Sequence, residues 1–280
     1  MSIELPEAMI LAEEMNRELL SKRIRSYQLK DHERLQRIGF MNKDVKAFDQ
    51  LLNAKIESVV SRGNAILVKL CNGLNLILSP EYGGEIFYYS TEKVVSEKYH
   101  LRVDFSDDTV LTVRLTSMGG IHVMKDSELS DSYVFKRDFN LRVISPVDEK
   151  FTSKDFSKLL SESNKALKSV LVGKDAVLVG LSNSAFQDIL FRAKLHPKRK
   201  ASELSADERQ ALYDAIKKML RERIQLRGKD QFTDLYGNKG SYTPAMGPNL
   251  KGRNCPRCGT PIDKLSVGGG EVFLCLKCQI

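Results

Sequence analysis

Residues 255–278 read CPRCGTPIDKLSVGGGEVFLCLKC, and this stretch decides the fold. Two Cys-x-x-Cys pairs, Cys255 with Cys258 and Cys275 with Cys278, enclose sixteen residues. Cysteines at that spacing can turn both sulfurs toward one ion, and two such pairs complete a tetrahedral thiolate site. A single structural Zn²⁺ suits four soft sulfurs in a closed shell. The competing readings are a pair of disulfides or chance. Only five cysteines occur in the 280 residues, four of them in this array, which favours metal. The segment reads as two β-hairpins, with Gly259 and Pro261 turning the chain after the first pair and Glu271-Val-Phe-Leu leading as a strand into the second. Metal binding to so small a unit is folding free energy. The fifth cysteine, Cys71, follows the apolar run AILVKL and reads as a small buried hydrophobe.

Outward from the clip, composition narrows the class. Hydrophobic content of 42% with 29% charged residues predicts a globular chain, long enough to bury one large core or two modest ones. No apolar run approaches the roughly 18 residues of a membrane span, and the first residues lack the basic-then-apolar order of a signal peptide. A cytoplasmic, nucleoid-associated protein is the expectation. Net charge is +8, with cations concentrated in HPKRK (196–200), KKMLRERIQLRGK (217–229) and LKGRNCPR (250–257). One such run alone reads as a solvated helix face. Three beside a zinc clip point to a polyanion, most simply nucleic acid.

Residues 5–20 predict a helix: Pro6 and Glu7 suit its first turn, and Ala8, Leu11, Ala12, Met15 and Leu19 share a face. Residues 56–60, 65–71, 74–79, 84–90, 100–105, 109–115 and 120–124 predict seven short strands in an antiparallel sandwich or barrel. From about residue 153 the period becomes helical. One helix starts with Ser153 as its cap. A second spans 182–195 with Phe186, Ile189, Leu190 and Ala193 inward and is stopped by His196-Pro197. A third starts at a cap around Ser205 and runs to Gly228. The expected fold is α+β and multidomain: a leading helix and β-sandwich over 1–135, a helical domain over 136–228, a linker over 229–254 rich in Gly, Asn, Lys and Pro, and the zinc hairpin over 255–280. A cleft lined with cations from the helical side is expected between the two lobes.

Three stretches then fit one family. They are Glu4-Leu5-Pro6-Glu7; Gly180-Leu181-Ser182-Asn183 with Leu190-Phe191-Arg192-Ala193 and His196-Pro197; and Cys255-x-x-Cys-Gly-Thr-Pro-Ile with Cys275-x-x-Cys278-Gln279. In these, the chain resembles the formamidopyrimidine-DNA glycosylase and endonuclease VIII family of base-excision repair enzymes, with order and spacing kept over nearly the whole length. The resemblance implies a sandwich, a helix–two-turn–helix domain and a zinc hairpin, binding bent double-stranded DNA, damaged or abasic, as a monomer. It assigns Asn183 to a phosphate beside the lesion, where a helix N-cap is the local alternative. Lys168 and Arg253 become further phosphate contacts.

The resemblance also shows departures. Family enzymes attack the sugar C1′ with an N-terminal proline placed directly before Glu-Leu-Pro-Glu. Here Ile3 holds that place, behind Met1 and Ser2, and an internal amide nitrogen is not nucleophilic. The family's lesion-contacting lysine falls at Asn64, its hairpin arginine at Gly270, and its Arg-Phe wedge near Ser117-Met118-Gly119. Met118 reads as an apolar wedge or, more simply, as core. A tyrosine frequent two residues after the asparagine is Ala185. Each lost charge-assisted phosphate contact costs about 1.5–3 kcal/mol. The expected function is therefore a damaged-DNA-binding member of this repair family, a glycosylase or abasic-site lyase with an altered nucleophile. The candidate amine is that of Ser2, exposed by removal of Met1 and ionising near about 7.7–8.0, with Glu4 assisting. Glu7 is the third catalytic candidate, with a helix-start role as its local alternative. A catalytically inactive binder of distorted duplex, or a zinc-dependent RNA- or protein-binding module, are the alternatives.

Overall fold

A computed structural model of the chain describes residues 3–91, 95–172 and 176–280. It divides into two compact units, one of residues through Asn140 with Arg227–Ser241, the other of Leu141–Leu226 with Tyr242–Ile280. The stretch expected as a linker is thus shared. Its first part belongs to the N-terminal unit, because Phe232 and Leu235 are buried in that unit's core. Its second part belongs to the helical unit, where Tyr242 and Met246 are buried.

The first unit begins with α1, Leu5–Leu19, close to the predicted span. Its apolar face (Ala8, Leu11, Ala12, Met15, Leu19) enters a core shared with both sheets, which is why an amphipathic helix of this period forms here. The eight strands are β1 Ile24–Leu29, β2 Ile56–Arg62, β3 Ala65–Leu70, β4 Leu74–Tyr82, β5 Glu85–Tyr89, β6 Leu101–Phe105, β7 Val110–Arg114 and β8 Met118–Lys125. They form two antiparallel four-stranded sheets, ordered β1-β6-β7-β5 and β2-β3-β4-β8. Seven of these match the expected strands. The eighth, β1, has the sequence IRSYQL, whose apolar residues do not alternate with polar ones, so its pairing with β6 carries no sequence signal. A short helix α2, His32–Arg37, and a second, α3, Tyr133–Asp138, complete the unit. Cys71 is exposed one residue beyond the end of β3, which corrects its assignment as a buried hydrophobe.

The second unit holds α4 Ser153–Ser161, α5 Leu167–Val172, α6 Asn183–Ala193 and α7 Ala206–Gln225. Thr152, not Ser153, caps α4, its hydroxyl accepting from the Asp155 amide. Ser205 caps α7 as expected, in a reciprocal box with Glu208. α6 ends at Ala193 because Lys194 turns left-handed (φ 60°), before His196-Pro197 is reached. Phe186, Ile189 and Leu190 are buried as read from the sequence. Arg192 pairs with Asp188 on its own helix (2.8 Å) and ties α6 to α7 through Glu222 (2.8 Å), and the Tyr242 hydroxyl donates to Asp188, which fixes the returning segment. The clip contains one β-hairpin rather than two, β9 Asp263–Val267 with β10 Gly270–Leu274. The first cysteine pair lies in a turn closed by Gly259 N–H donating to Cys255 O at 2.9 Å. No described helix is long and apolar enough to cross a membrane.

Candidate functional site

In the first unit the functional candidates gather at the start of α1. Ile3 is buried and its amide donates to Glu81 O at 2.9 Å. The residue at the family's proline position is therefore a core hydrophobe with its nitrogen engaged in the backbone. Ser2, proposed from the sequence as the amine donor, lies outside the described residues. Glu4 is the N-cap residue of α1 and Glu7 its third residue, and both are fully buried. The Glu7 carboxylate accepts from Glu4 N through one oxygen and from Lys229 N through the other, each at 3.2 Å. The Glu7 side chain thus closes the helix start and holds the returning segment on it, giving the local alternative for this residue a physical basis. The Lys229 ammonium stands 3.4 Å from Glu4 Oε2. About two turns further along α1, buried Glu14 pairs with Arg227 and accepts from Leu235 N at 3.0 Å.

Sequence reasoning does not reach Lys229, because 217–229 reads as a run of solvent-facing or polyanion-facing cations. Arg223 and Lys229 are instead buried, and Arg227 is paired with a buried carboxylate. The available signal was the apolar content of the supposed linker: Phe232, Leu235, Tyr242 and Met246 have no place in a solvated spacer.

Two other candidates of this unit lie in its β-structure. Asn64 occupies the turn between β2 and β3, with its side-chain carbonyl buried and without a hydrogen-bond partner. Adjacent Arg62 anchors the turn by donating to Asp138 O (2.6 Å) and Asn140 O (3.0 Å). Met118 opens β8 opposite Tyr82 and is 52% exposed, so it is not core, correcting the simpler sequence reading.

The second unit brings Asn183, Lys168 and Gly270 together. Ser182, not Asn183, is the N-cap of α6. Asn183 is the first helical residue, and its Nδ2 donates to Glu271 O at 2.7 Å while its Oδ1 has no hydrogen-bond partner. The Lys168 ammonium donates to Val267 O at 2.6 Å, and burial pushes it below the usual lysine range. Gln187 Oε1 accepts from Phe273 N at 2.8 Å. Side chains from α5 and α6 therefore clamp the hairpin by its backbone. This accounts for the bare tip. The two-residue turn Gly268-Gly269 has positive φ at both positions, as a tight hairpin requires. A Cβ on Gly270 would lie 2.9 Å from Lys168 Nζ, so the lysine fills the space where a side chain would begin. Arg253 is exposed in the segment leading to Cys255.

The four cysteine sulfurs all lie within 4.8 Å of one another. Cys255 and Cys278 are 3.9 Å apart, and Cys258 and Cys275 3.4 Å. Four thiolates at about 2.3 Å from Zn²⁺ would sit about 3.8 Å apart, so the donor set fits the ion. Thr260, by hydroxyl and amide, holds the Cys258 thiol down to about 6, while the sulfur of Cys258 pushes Cys278 up to about 12. A cation resolves that crowding of negative charge.

Comparison with known proteins agrees with this architecture. The formamidopyrimidine-DNA glycosylase N-terminal domain matches residues 3–118, the H2TH domain of the same enzymes residues 144–234, and the zinc finger found in FPG and IleRS residues 254–280. The formamidopyrimidine-DNA glycosylase of Ligilactobacillus salivarius is 27% identical over 282 residues, covering 99% of this chain and 98% of that protein. That of Halalkalibacterium halodurans is 29% identical over 242 residues, covering 84% and 86%. Among solved structures, a Lactococcus lactis enzyme in complex with DNA containing an abasic site superposes with a TM-score of 0.84 at 23% identity, covering 99% of each chain. MutM in complex with DNA containing carbocyclic 8-oxo-G gives 0.81 at 24%, with the same coverage.

Proposed function

We propose that this chain, which belongs to the formamidopyrimidine-DNA glycosylase and endonuclease VIII family, is a base-excision repair protein that binds damaged or abasic double-stranded DNA. The observation that carries the reading is the group at the start of α6. Asn183 opens that helix with a carboxamide NH2, which gives one N–H to Glu271 O and has a second to donate, and the Lys168 cation stands beside the hairpin tip. Backbone N–H groups, a carboxamide and an ammonium together suit a phosphate. The solved relatives support it, having been captured with DNA containing an abasic site or N7-benzyl-Fapy-dG.

In this reading Asn183, Lys168 and Arg253 meet phosphates, and Met118 is the exposed apolar side chain available to fill space left by an unstacked base. Asn64 and Gly270 contact the duplex without the charge the family has there. Zn²⁺ on Cys255, Cys258, Cys275 and Cys278 stiffens the hairpin and takes no part in chemistry. Glycosylase or abasic-site lyase activity then requires an amine other than the one the family uses, since Ile3 N is an engaged amide. Glu4 stands ready to exchange protons with such a group. The test is competition for a labelled abasic duplex. The reading predicts that unlabelled abasic duplex displaces it best, intact duplex less well and RNA least. Equal displacement by RNA would favour the zinc-dependent RNA-binding alternative.

A further inference from the structure

Lysine is rarely buried without a partner, because removing an ammonium from water costs more than an ion pair returns. Lys229 is buried with a partner: 8% of its side chain is exposed, against 0% for Glu4, whose carboxylate oxygen stands 3.4 Å from its ammonium. Of the pair, the lysine is the member whose side chain retains exposed surface.

Its placement is built into the backbone. Gly228 turns with φ +86°, and a Cβ there would lie 2.5 Å from Phe232 Cδ1 and 3.2 Å from Glu7 Cγ. The chain leaving α7 can therefore pass this point only as glycine, and it delivers residue 229 to the start of α1. Glu7 then binds Lys229 N and Glu4 N with its two oxygens. One carboxylate fixes the backbones of both an acid and an amine, whose side chains meet at 3.4 Å. A nucleophile needs a proton acceptor within reach and a third group to orient them, and all three are present.

We infer that Lys229 Nζ is the amine with which this chain condenses with the aldehyde of an abasic deoxyribose, with Glu4 as its proton acceptor and Glu7 as a positioning residue. The inference rests on the reading that the chain binds abasic duplex. Nζ gives a proton to the Glu4 carboxylate and its lone pair attacks C1′. The carbonyl pair moves to oxygen, which takes that proton back from Glu4. A second proton from nitrogen reaches the same oxygen, which leaves as water, so the ammonium and the aldehyde become an iminium and one water. Loss of the C2′ proton to the Glu4 carboxylate gives an enamine. Its electrons expel the 3′-phosphate from C3′, the C3′–O pair leaving with the phosphate and a C2′=C3′ double bond forming. Water hydrolyses the imine and restores the amine. No oxidant or reductant is consumed.

The test reduces the iminium with borohydride on natural abasic-site duplex, using the whole zinc-loaded protein, and maps the adduct by mass after proteolysis. The expected adduct lies on Lys229. K229R, checked for folding by its thermal melt, should trap at least about tenfold less, and E4Q should trap less than the native protein. An adduct on the N-terminal amine or on another lysine overturns the inference, as does undiminished trapping by K229R. Binding to abasic duplex, measured in parallel, separates the two levels. Binding without an adduct overturns the assignment of Lys229 alone, whereas absence of binding overturns it together with the reading beneath it.

Discussion

Gly228→Ala tests how tightly the segment carrying Lys229 is built, and Gly237→Ala is its control. Both glycines have φ near the same positive value, +86° and +89°. A side chain in this region costs roughly 1–2 kcal/mol at either position. The surroundings differ. A Cβ at 237 meets nothing within 4 Å, whereas at 228 it would be 2.5 Å from Phe232 Cδ1 and 3.2 Å from Glu7 Cγ. Phe232 is buried in the core and Glu7 is held by two hydrogen bonds, so neither can yield freely. Overpacking of this kind costs about 1–3 kcal/mol beyond the backbone strain. For a unit of this size, that excess lowers the melting temperature of the 228 variant below that of the 237 variant by about 2–12 °C. Thermal melts by circular dichroism at equal protein concentration read the difference. Equal melting temperatures would refute the claim that the turn at Gly228 is fixed by its neighbours.

Cys258→Ser should release the metal and loosen the clip, read as loss of one bound zinc per chain and as proteolysis confined to the C-terminal segment; retention of stoichiometric zinc would contradict a four-sulfur site. Asn183→Ala should weaken binding of lesion and intact duplex alike by about tenfold or more, the loss of one bond to a charged acceptor, as measured by fluorescence anisotropy. Burial pushes the imidazoles of His100 and His122 below the usual histidine range, and His100 Nδ1 accepts from Leu115 N at 2.9 Å, which only the neutral ring can do. The unfolded chain therefore binds more protons than the native one. Stability is full above the ordinary histidine value of about 6.5 and is lost as pH falls below it. The melting temperature should decline from pH 7.5 to 5.5, at about the acidities where unfolded histidines charge, and His122→Gln should make the decline shallower.

Much of this was legible in the sequence, for stated reasons. The period of α1, the short β-branched and aromatic runs from Ile56 to Val123 and the spacing of the four cysteines each carry a physical signal strong enough to place an element. β1 is different: IRSYQL has no alternating apolar face and becomes a strand only because β6 offers it an edge. The metal ligands converge as their spacing predicts, and Asn183 lies at the start of a helix as the resemblance implied, one residue past the cap. Lys229 was hidden because a lysine at the end of a basic run looks solvated. What makes it internal is a tertiary event, the return of the chain onto Glu4 and Glu7, which local charge cannot reveal. The bareness of Gly270 was visible, but not its cause, since Lys168 is about a hundred residues distant in the chain and meets the hairpin only in the folded unit.

The function proposed for this chain is the recognition of damaged duplex DNA. The most direct measurement titrates the zinc-loaded protein into a duplex bearing a single abasic-site analogue and into the same duplex intact, by fluorescence anisotropy over a range of salt concentrations. Tighter binding of the abasic duplex is predicted, with the logarithm of both association constants falling linearly as the logarithm of salt rises. Identical affinities for the two duplexes, or no binding to either at low ionic strength, would contradict the claim.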